Sequence, residues 1–158
     1  MENLNPAFLG FLQAIQNSPQ YPTKEEILAE PTLEYNEVVI DILKTFKRKW
    51  QICSISEERF YVLKEMAKDI GVQYEKNPVV ELGTLYCYQP SVNTIVLGPE
   101  PSIISTLHEL GHAIFGASEK DACRFSVHLF RMIFPKAYDR LQWDGHMLKR
   151  KEVVCRVK

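Results

Sequence analysis

Cysteine is sparse in this chain: Cys53, Cys87, Cys123 and Cys155 stand more than 30 residues apart and never in a CxxC pair. That spacing excludes a zinc ribbon and a thioredoxin-type redox motif and leaves free thiols as the expectation. An excess of charge of either sign is missing too, since the net charge is only −1, so no electrostatic footprint of a nucleic-acid or membrane binder is present. No apolar run approaches the roughly 18 residues of a membrane span. The opening "MENLNPAFLGFLQAIQ" lacks the basic region, long apolar core and small-residue cleavage site of a secretory signal, which makes a reducing cytoplasm the expected location. Internal repeats and low-complexity tracts are absent, and the prolines of the first third make no long linker, so a single domain over residues 1–158 is expected. At 158 residues such a domain buries a core without disulfides or a structural metal.

What is present is helix first and strand second. "NPAFLGFLQAIQN" places Phe8, Leu9, Leu12 and Ile15 at helical spacing, "TKEEILAE" reads as a short helix opened by Thr23, and "EYNEVVIDILKTFKRKW" carries a stripe of Val38, Val39, Ile42, Leu43 and Phe46. Residues 1–50 thus form a helical N-terminal part, and residues 56–135 the core. "SEERFYVLKEMAKDIG" predicts a helix with Ser56 as N-cap, Phe60, Leu63 and Ala67 on one face, and Gly71 as its C-terminal cap. The period then changes: "VQYE", "TLYCY" and "NTIVLG", separated by Asn77-Pro78, Gly83 and Gln89-Pro90, predict a small three-stranded sheet. "GPEPS" breaks the last strand, and Pro101 or Ser102 opens a helix through Ile103, Ile104, Leu107 and Ile114 to Gly116. Ser118 with Asp121 three residues on resembles a capping box for a second helix, whose buried face is Phe125, Leu129 and Met132 or Ile133, ending at Pro135. Beyond it the pattern weakens to a short helix near "KAYDRL" and a basic strand or tail at "KRKEVVCRVK". The fold class that results is α+β, helix-rich, with the small sheet packed beside the helix that carries "STLHELGHAIFG".

That helix holds His108, Glu109 and His112 in the pattern H-E-x-x-H. Four residues advance a helix by about 6 Å and about 40°, which leaves both imidazoles on one face, able to converge on one ion with bonds of roughly 2.0 to 2.1 Å. Glu109, about 100° round from His108, reaches a water on the metal without binding the metal itself. A bound zinc lowers the pKa of that water to about 7, and Glu109 is placed to take its proton as general base. The competing reading is an ordinary helix with two histidines on its surface, and the helical context weighs against it. Tetrahedral zinc still needs a third protein ligand. The metzincin extension fails, because Phe115 and Ser118 stand where its Gly and His belong. Glu119, Asp121 and His128 are the nearby candidates, although Glu119 and Asp121 are also the charges that a helix N-terminus favours. Zinc suits this donor set best, and iron, manganese or cobalt fit the same geometry.

From Ser56 to Pro135, and most closely from Asn93 to Phe130, the chain resembles the ImmA/IrrE-type zinc metallopeptidases, which have a minimal zincin-like domain. The parts come in family order: a helix ending in "DIGV", then "GTLYCY", "NTIVL", "STLHELGH" and "DACRFSVHLF". The resemblance implies zinc on His108, His112 and Asp121, with Asp121 standing where the family carries a glutamate ligand one methylene longer. It implies a peptidase acting on a peptide or protein substrate, often one regulatory protein such as a repressor. It also implies that "NTIVL" lies beside the active-site helix, its edge able to hold an extended peptide. The helix-turn-helix module of some relatives is missing, so no nucleic-acid partner is implied. His128 is a possible oxyanion donor but more often a packing histidine, and for Tyr138 and His146 packing is favoured more strongly. Tyr86 and Tyr88 read as packing, and oligomeric state is not legible. The alternative function is a non-catalytic zincin-like domain that binds a regulatory partner.

Overall fold

The computed structural model describes residue 7 and residues 21–29 and 37–151. Helix α1, Lys24–Leu28, starts at a complete capping box: Thr23 Oγ1 accepts from the Glu26 amide at 3.1 Å, and Glu26 accepts in return from the Thr23 amide at 3.2 Å. Helix α2, Glu37–Ile52, buries Val39, Leu43 and Phe46. Val38 was expected in the same stripe but is exposed, because it sits about 100° round the helix from Val39. The helix expected at "NPAFLGFLQAIQN" and the tail beyond residue 151, Cys155 included, lie outside the described residues.

Helix α3, Ser56–Gln73, differs from its expected ends. Ser56 is its first helical residue; Ile55 occupies the cap and makes no side-chain cap bond. Gly71 lies inside the last turn, buried, where a Cβ would stand 2.8 Å from the Lys76 carbonyl oxygen. The amides of Tyr74 and Lys76 both donate to Gly71 O at 2.9 Å, and the left-handed residue of the turn is Glu75, at φ 58°. Gly71 is therefore needed for close approach rather than for handedness. "VQYE" is accordingly a helix end and a turn, and the first strand starts only after Pro78.

The sheet consists of β1, Val79–Leu82, β2, Cys87–Gln89, and β3, Thr94–Leu97, in the order β1-β3-β2. β3 runs parallel to β1, with Val79 opposite Thr94 and Leu82 opposite Leu97. It runs antiparallel to β2, with Cys87 opposite Val96 and Gln89 opposite Thr94. The "NTIVL" strand is thus the centre of the sheet with both edges paired, so the expectation that its edge holds a peptide is corrected: the free edge on the other side of the sheet belongs to β2. Between β2 and β3 a 3-10 turn, Pro90–Val92, ends at Asn93 in the left-handed region. Asn93 accepts from Tyr88 OH at 2.7 Å and donates to Asn77 O at 3.1 Å.

Both β2 and β3 pack on helix α4, Ile103–Phe115. A Ser102/Ser105 capping box opens α4, and Gly116 closes it at φ 94°, a conformation that favours glycine. Three residues later α5, Glu119–Ile133, begins at Ser118, whose Oγ accepts from the Asp121 amide. The two helices approach closely where Gly111 faces Ala122: a Cβ on Gly111 would lie 2.9 Å from Ala122 Cα. Phe125, Leu129 and Ile133 are buried, whereas Met132 is exposed. The main core joins α2, α3, β1, β3, α4 and α5 through Leu43, Leu63, Met66, Ile95, Leu107 and Phe125. On the other side of α5, Ile27 of α1 packs with Cys123 and Val127.

After the short helix α6, Pro135–Asp139, an antiparallel hairpin of β4, Leu141–Asp144, and β5, Met147–Arg150, closes the described part of the chain. The strand or tail expected at "KRKEVVCRVK" meets this hairpin only at Lys149 and Arg150 of β5. Its two-residue loop, Gly145-His146, puts Gly145 at φ 63° in the first position, where a type II′ hairpin turn takes glycine. Among the described residues no helix is long and apolar enough to cross a membrane.

Gly111→Ala gains about 1 kcal/mol in helix propensity, but its methyl group meets the Ala122 backbone, and overpacking costs about 1–3 kcal/mol. A net loss is expected, larger for Gly111→Val, with a melting-temperature decrease of about 2–4 °C per kcal/mol. An unchanged melting temperature in Gly111→Val would contradict the close crossing.

Candidate metal centre

His108 and His112 stand one turn apart on α4, their ring centroids separated by 5.0 Å and their planes at 80°. The carboxylate that meets them is Glu119, the first residue of α5: its Oε2 lies 3.2 Å from His108 Nε2 and its Oε1 2.8 Å from His112 Nε2. One ligand atom from each of the three residues fits within 4.8 Å of the others, and all three side chains are half-buried. Asp121, the residue expected in this place, is not part of the group. It is the third residue of α5, about 200° round the helix from Glu119, with its amide bound to Ser118 Oγ at 3.2 Å. The structure therefore brings Glu119, not Asp121, to the two histidines.

His112 Nδ1 lies 2.9 Å from Gly116 O, so the proton belongs on Nδ1 and the Nε2 lone pair turns toward Glu119. Lone pairs of nitrogen and of carboxylate oxygen at these separations repel unless a positive charge lies among them. Burial by itself lowers the basicity of His108, but its contacts with the Cys123 thiol and with Glu119 outweigh this and raise it to about 10. Glu119, hydrogen-bonded to His108 and facing His112, is held down at about 2 despite its partial burial. A divalent cation satisfies the same donors together. Two imidazoles and one carboxylate are the three-ligand set of a catalytic zinc site, with a fourth position left for water or substrate.

Glu109 is buried on the same helix, and its Oε2 has no hydrogen-bond partner. Burial raises its pKa and the nearby Glu119 adds to this, opposed by the two histidines. It faces a cleft of about 810 Å³ also lined by His112, Glu119, Tyr86, Tyr88 and Phe115. The two tyrosines expected only to pack do line this cleft, with their hydroxyl groups tied down, Tyr86 to Pro99 O and Tyr88 to Asn93.

His128 is not at the centre: its Nε2 lies 2.8 Å from Ile27 O and joins α5 to α1, the packing role favoured from sequence. Tyr138 lies under the Arg131 guanidinium, 5.3 Å from its ring centre. His146 stacks on Tyr21 with centroids 4.3 Å apart. Sequence reasoning missed Cys123, whose Sγ approaches His108 Nδ1 at 3.8 Å. Its spacing of four from Glu119 was the available signal, since residues i and i+4 share a helix face. Compared with protein-family models, curated proteins and solved structures, the chain matches none.

Glu119→Gln is expected to weaken zinc binding by more than about 100-fold, beyond the 10- to 100-fold effect of disturbing a ligand's hydrogen-bond partner, while Asp121→Asn stays within about threefold. Competition with a chromophoric chelator measures both, and the reverse order would return the third ligand to Asp121. Because its neighbours push His108 up to about 10, zinc uptake near pH 7 should release about one proton, and affinity should rise about tenfold per pH unit up to about pH 10. Calorimetry in buffers of different ionisation enthalpy reads the proton count; zero protons at pH 7 would contradict the assignment.

Proposed function

We propose that the chain is a zincin-like, zinc-dependent peptidase of the kind its resemblance to the ImmA/IrrE-type metallopeptidases implies, cleaving a peptide bond in a specific regulatory protein. His108, His112 and Glu119 hold the metal, and Glu109 is the general base. The observation that carries this reading is the convergence of the Glu119 carboxylate on both Nε2 atoms, beside a buried glutamate whose Oε2 is unpartnered. Zinc, when bound, supplies Lewis acidity, polarising a carbonyl and acidifying water to a pKa of about 7.

The other contributions come from the chain's own side chains. Glu109 Oε2 accepts the proton of the attacking water and returns it to the leaving amine, which its raised pKa favours. Placement on a buried helix turn sets Glu109 beside His112 and Glu119 on the cleft, from where it would act on a water without being among the residues that would hold a metal. The free edge of β2, beside the cleft, holds an extended peptide through backbone hydrogen bonds, and Tyr86 and Tyr88 border the same cleft.

Glu109→Gln keeps the shape and the ligands and removes the base. Zinc content should stay near one per chain while cleavage of a quenched-fluorescence peptide library falls by about 100-fold or more. Loss of zinc in this variant would refute the division of roles, and zinc retention with no product from the wild type would favour the partner-binding alternative.

A further inference from the structure

Beside the metal centre, on the His108 side of Glu109, lies a second and smaller cavity of about 280 Å³. His108 and Glu109 form one wall, so it opens directly on the site, while Ile104, Val127, Met147 and Leu148 supply much of the remaining surface. Several polar groups also border it: the His146 ring stacks on Tyr21, and the hydroxyl and thiol groups already make contacts within the protein. Ser126 Oγ donates to Cys123 O at 3.2 Å. Ser102 and Ser105 are joined to each other by the α4 capping box, with their hydroxyls 2.9 Å apart. Tyr86 OH is bound to Pro99 O, and Cys123 Sγ lies near His108 Nδ1 and His146 O. Of the lining residues, the one buried side-chain oxygen without a partner is Glu109 Oε2, which points to chemistry rather than to recognition.

We infer that this cavity is the specificity pocket of the proposed peptidase and takes one aliphatic or aromatic side chain from the residue adjoining the scissile bond. The inference rests on the peptidase reading of the metal centre and adds its substrate class. A polar side chain entering the cavity would lose water and find Glu109 Oε2 as the one unpartnered buried side-chain oxygen of the wall, whereas an apolar one gains by leaving water. The wide cleft, lined from the β2 side, takes the peptide backbone, and the narrow cavity lies past His108 from it. One wall is the β4–β5 hairpin, which contributes Met147 and Leu148. The pocket therefore depends on a part of the chain far from the H-E-x-x-H motif in sequence.

The test uses zinc-loaded protein and small hydroxamates as metal-anchored probes, so neither the natural target nor turnover is required. Isocaproyl hydroxamate should bind about 10- to 100-fold more tightly than acetohydroxamate, the gain for burying one branched aliphatic side chain. Its amide isostere, succinamoyl hydroxamate, should gain less than about threefold, because desolvating its amide costs more than one contact with Glu109 Oε2 returns. Val127→Phe, which fills the cavity, should abolish the advantage of the isocaproyl tail at equal zinc content. If that variant fails to fold, Met147→Glu at the exposed rim should reduce the advantage by at least about fivefold, since it sets a charge beside the apolar tail. Equal affinity for all three probes, or an isocaproyl advantage untouched by both variants, would overturn the pocket and leave the metal centre standing. Failure of every probe, acetohydroxamate included, to bind protein shown to lack zinc would overturn the metal centre and the pocket together.

Discussion

The crossing of α4 and α5 at Gly111 and Ala122 is the constraint on which the site depends. A Cβ at Gly111 would lie 2.9 Å from a backbone carbon of the other helix, so the two backbones approach as closely as a side chain of zero size permits. Three residues, from Gly116 to Ser118, connect the helices, and Gly116 makes the turn at a positive φ. With the crossing and the link both short, the first residue of α5 lands beside the last turns of α4. That residue is Glu119, and its side chain spans the remaining distance to His108 and His112. The same approach places Cys123, one turn further along α5, behind His108.

The cluster of His108, His112 and Glu119 stores an electrostatic conflict that the surrounding protein maintains. Two nitrogen lone pairs and a carboxylate meet in a half-buried place, and Glu109 brings a second carboxyl group into the same region. The hydrogen bond from His112 Nδ1 to Gly116 O fixes one ring, and the burial of α4 against the sheet fixes the helix that carries both. Cys123 and Glu119 push His108 up against the effect of burial, and the two histidines hold Glu119 down. A site that needs positive charge in this way is preorganised for a cation, and the same burial leaves Glu109 a better base than an exposed glutamate.

Much of this was legible in the sequence. The helix of the motif, its Ser102 start and Gly116 end, the Ser118 cap of the next helix and the buried stripe of Leu107, Phe125 and Leu129 all follow from local periodicity and capping chemistry, which act over a few residues. Which carboxylate meets the two histidines did not follow. On α5, Glu119 and Asp121 flank the apolar stripe of Ala122, Phe125, Leu129 and Ile133 at roughly 80° on either side, so the pattern alone gives them equal standing. What separates them is the side on which α4 lies, a tertiary fact. Resemblance to a family pattern with a glutamate ligand favoured Asp121, which sits beside Ala122 as that glutamate does, whereas the carboxylate that meets the histidines is that of Glu119. Gly71 and "VQYE" failed for another reason: a glycine near the expected end of a helix reads as a cap, while here it clears space for the Lys76 carbonyl oxygen. Strand order within the sheet, which makes β2 rather than β3 the exposed edge, depends on pairing at a distance and leaves no local mark.

Zinc K-edge X-ray absorption on the zinc-loaded protein tests the central claim most directly, since it reports the atoms that hold the ion. The account predicts only nitrogen and oxygen neighbours, at about 2.0–2.1 Å, with outer-shell scattering from two imidazole rings. A sulfur neighbour at about 2.3 Å, which would bring Cys123 onto the metal, or the signature of fewer than two rings, would contradict it.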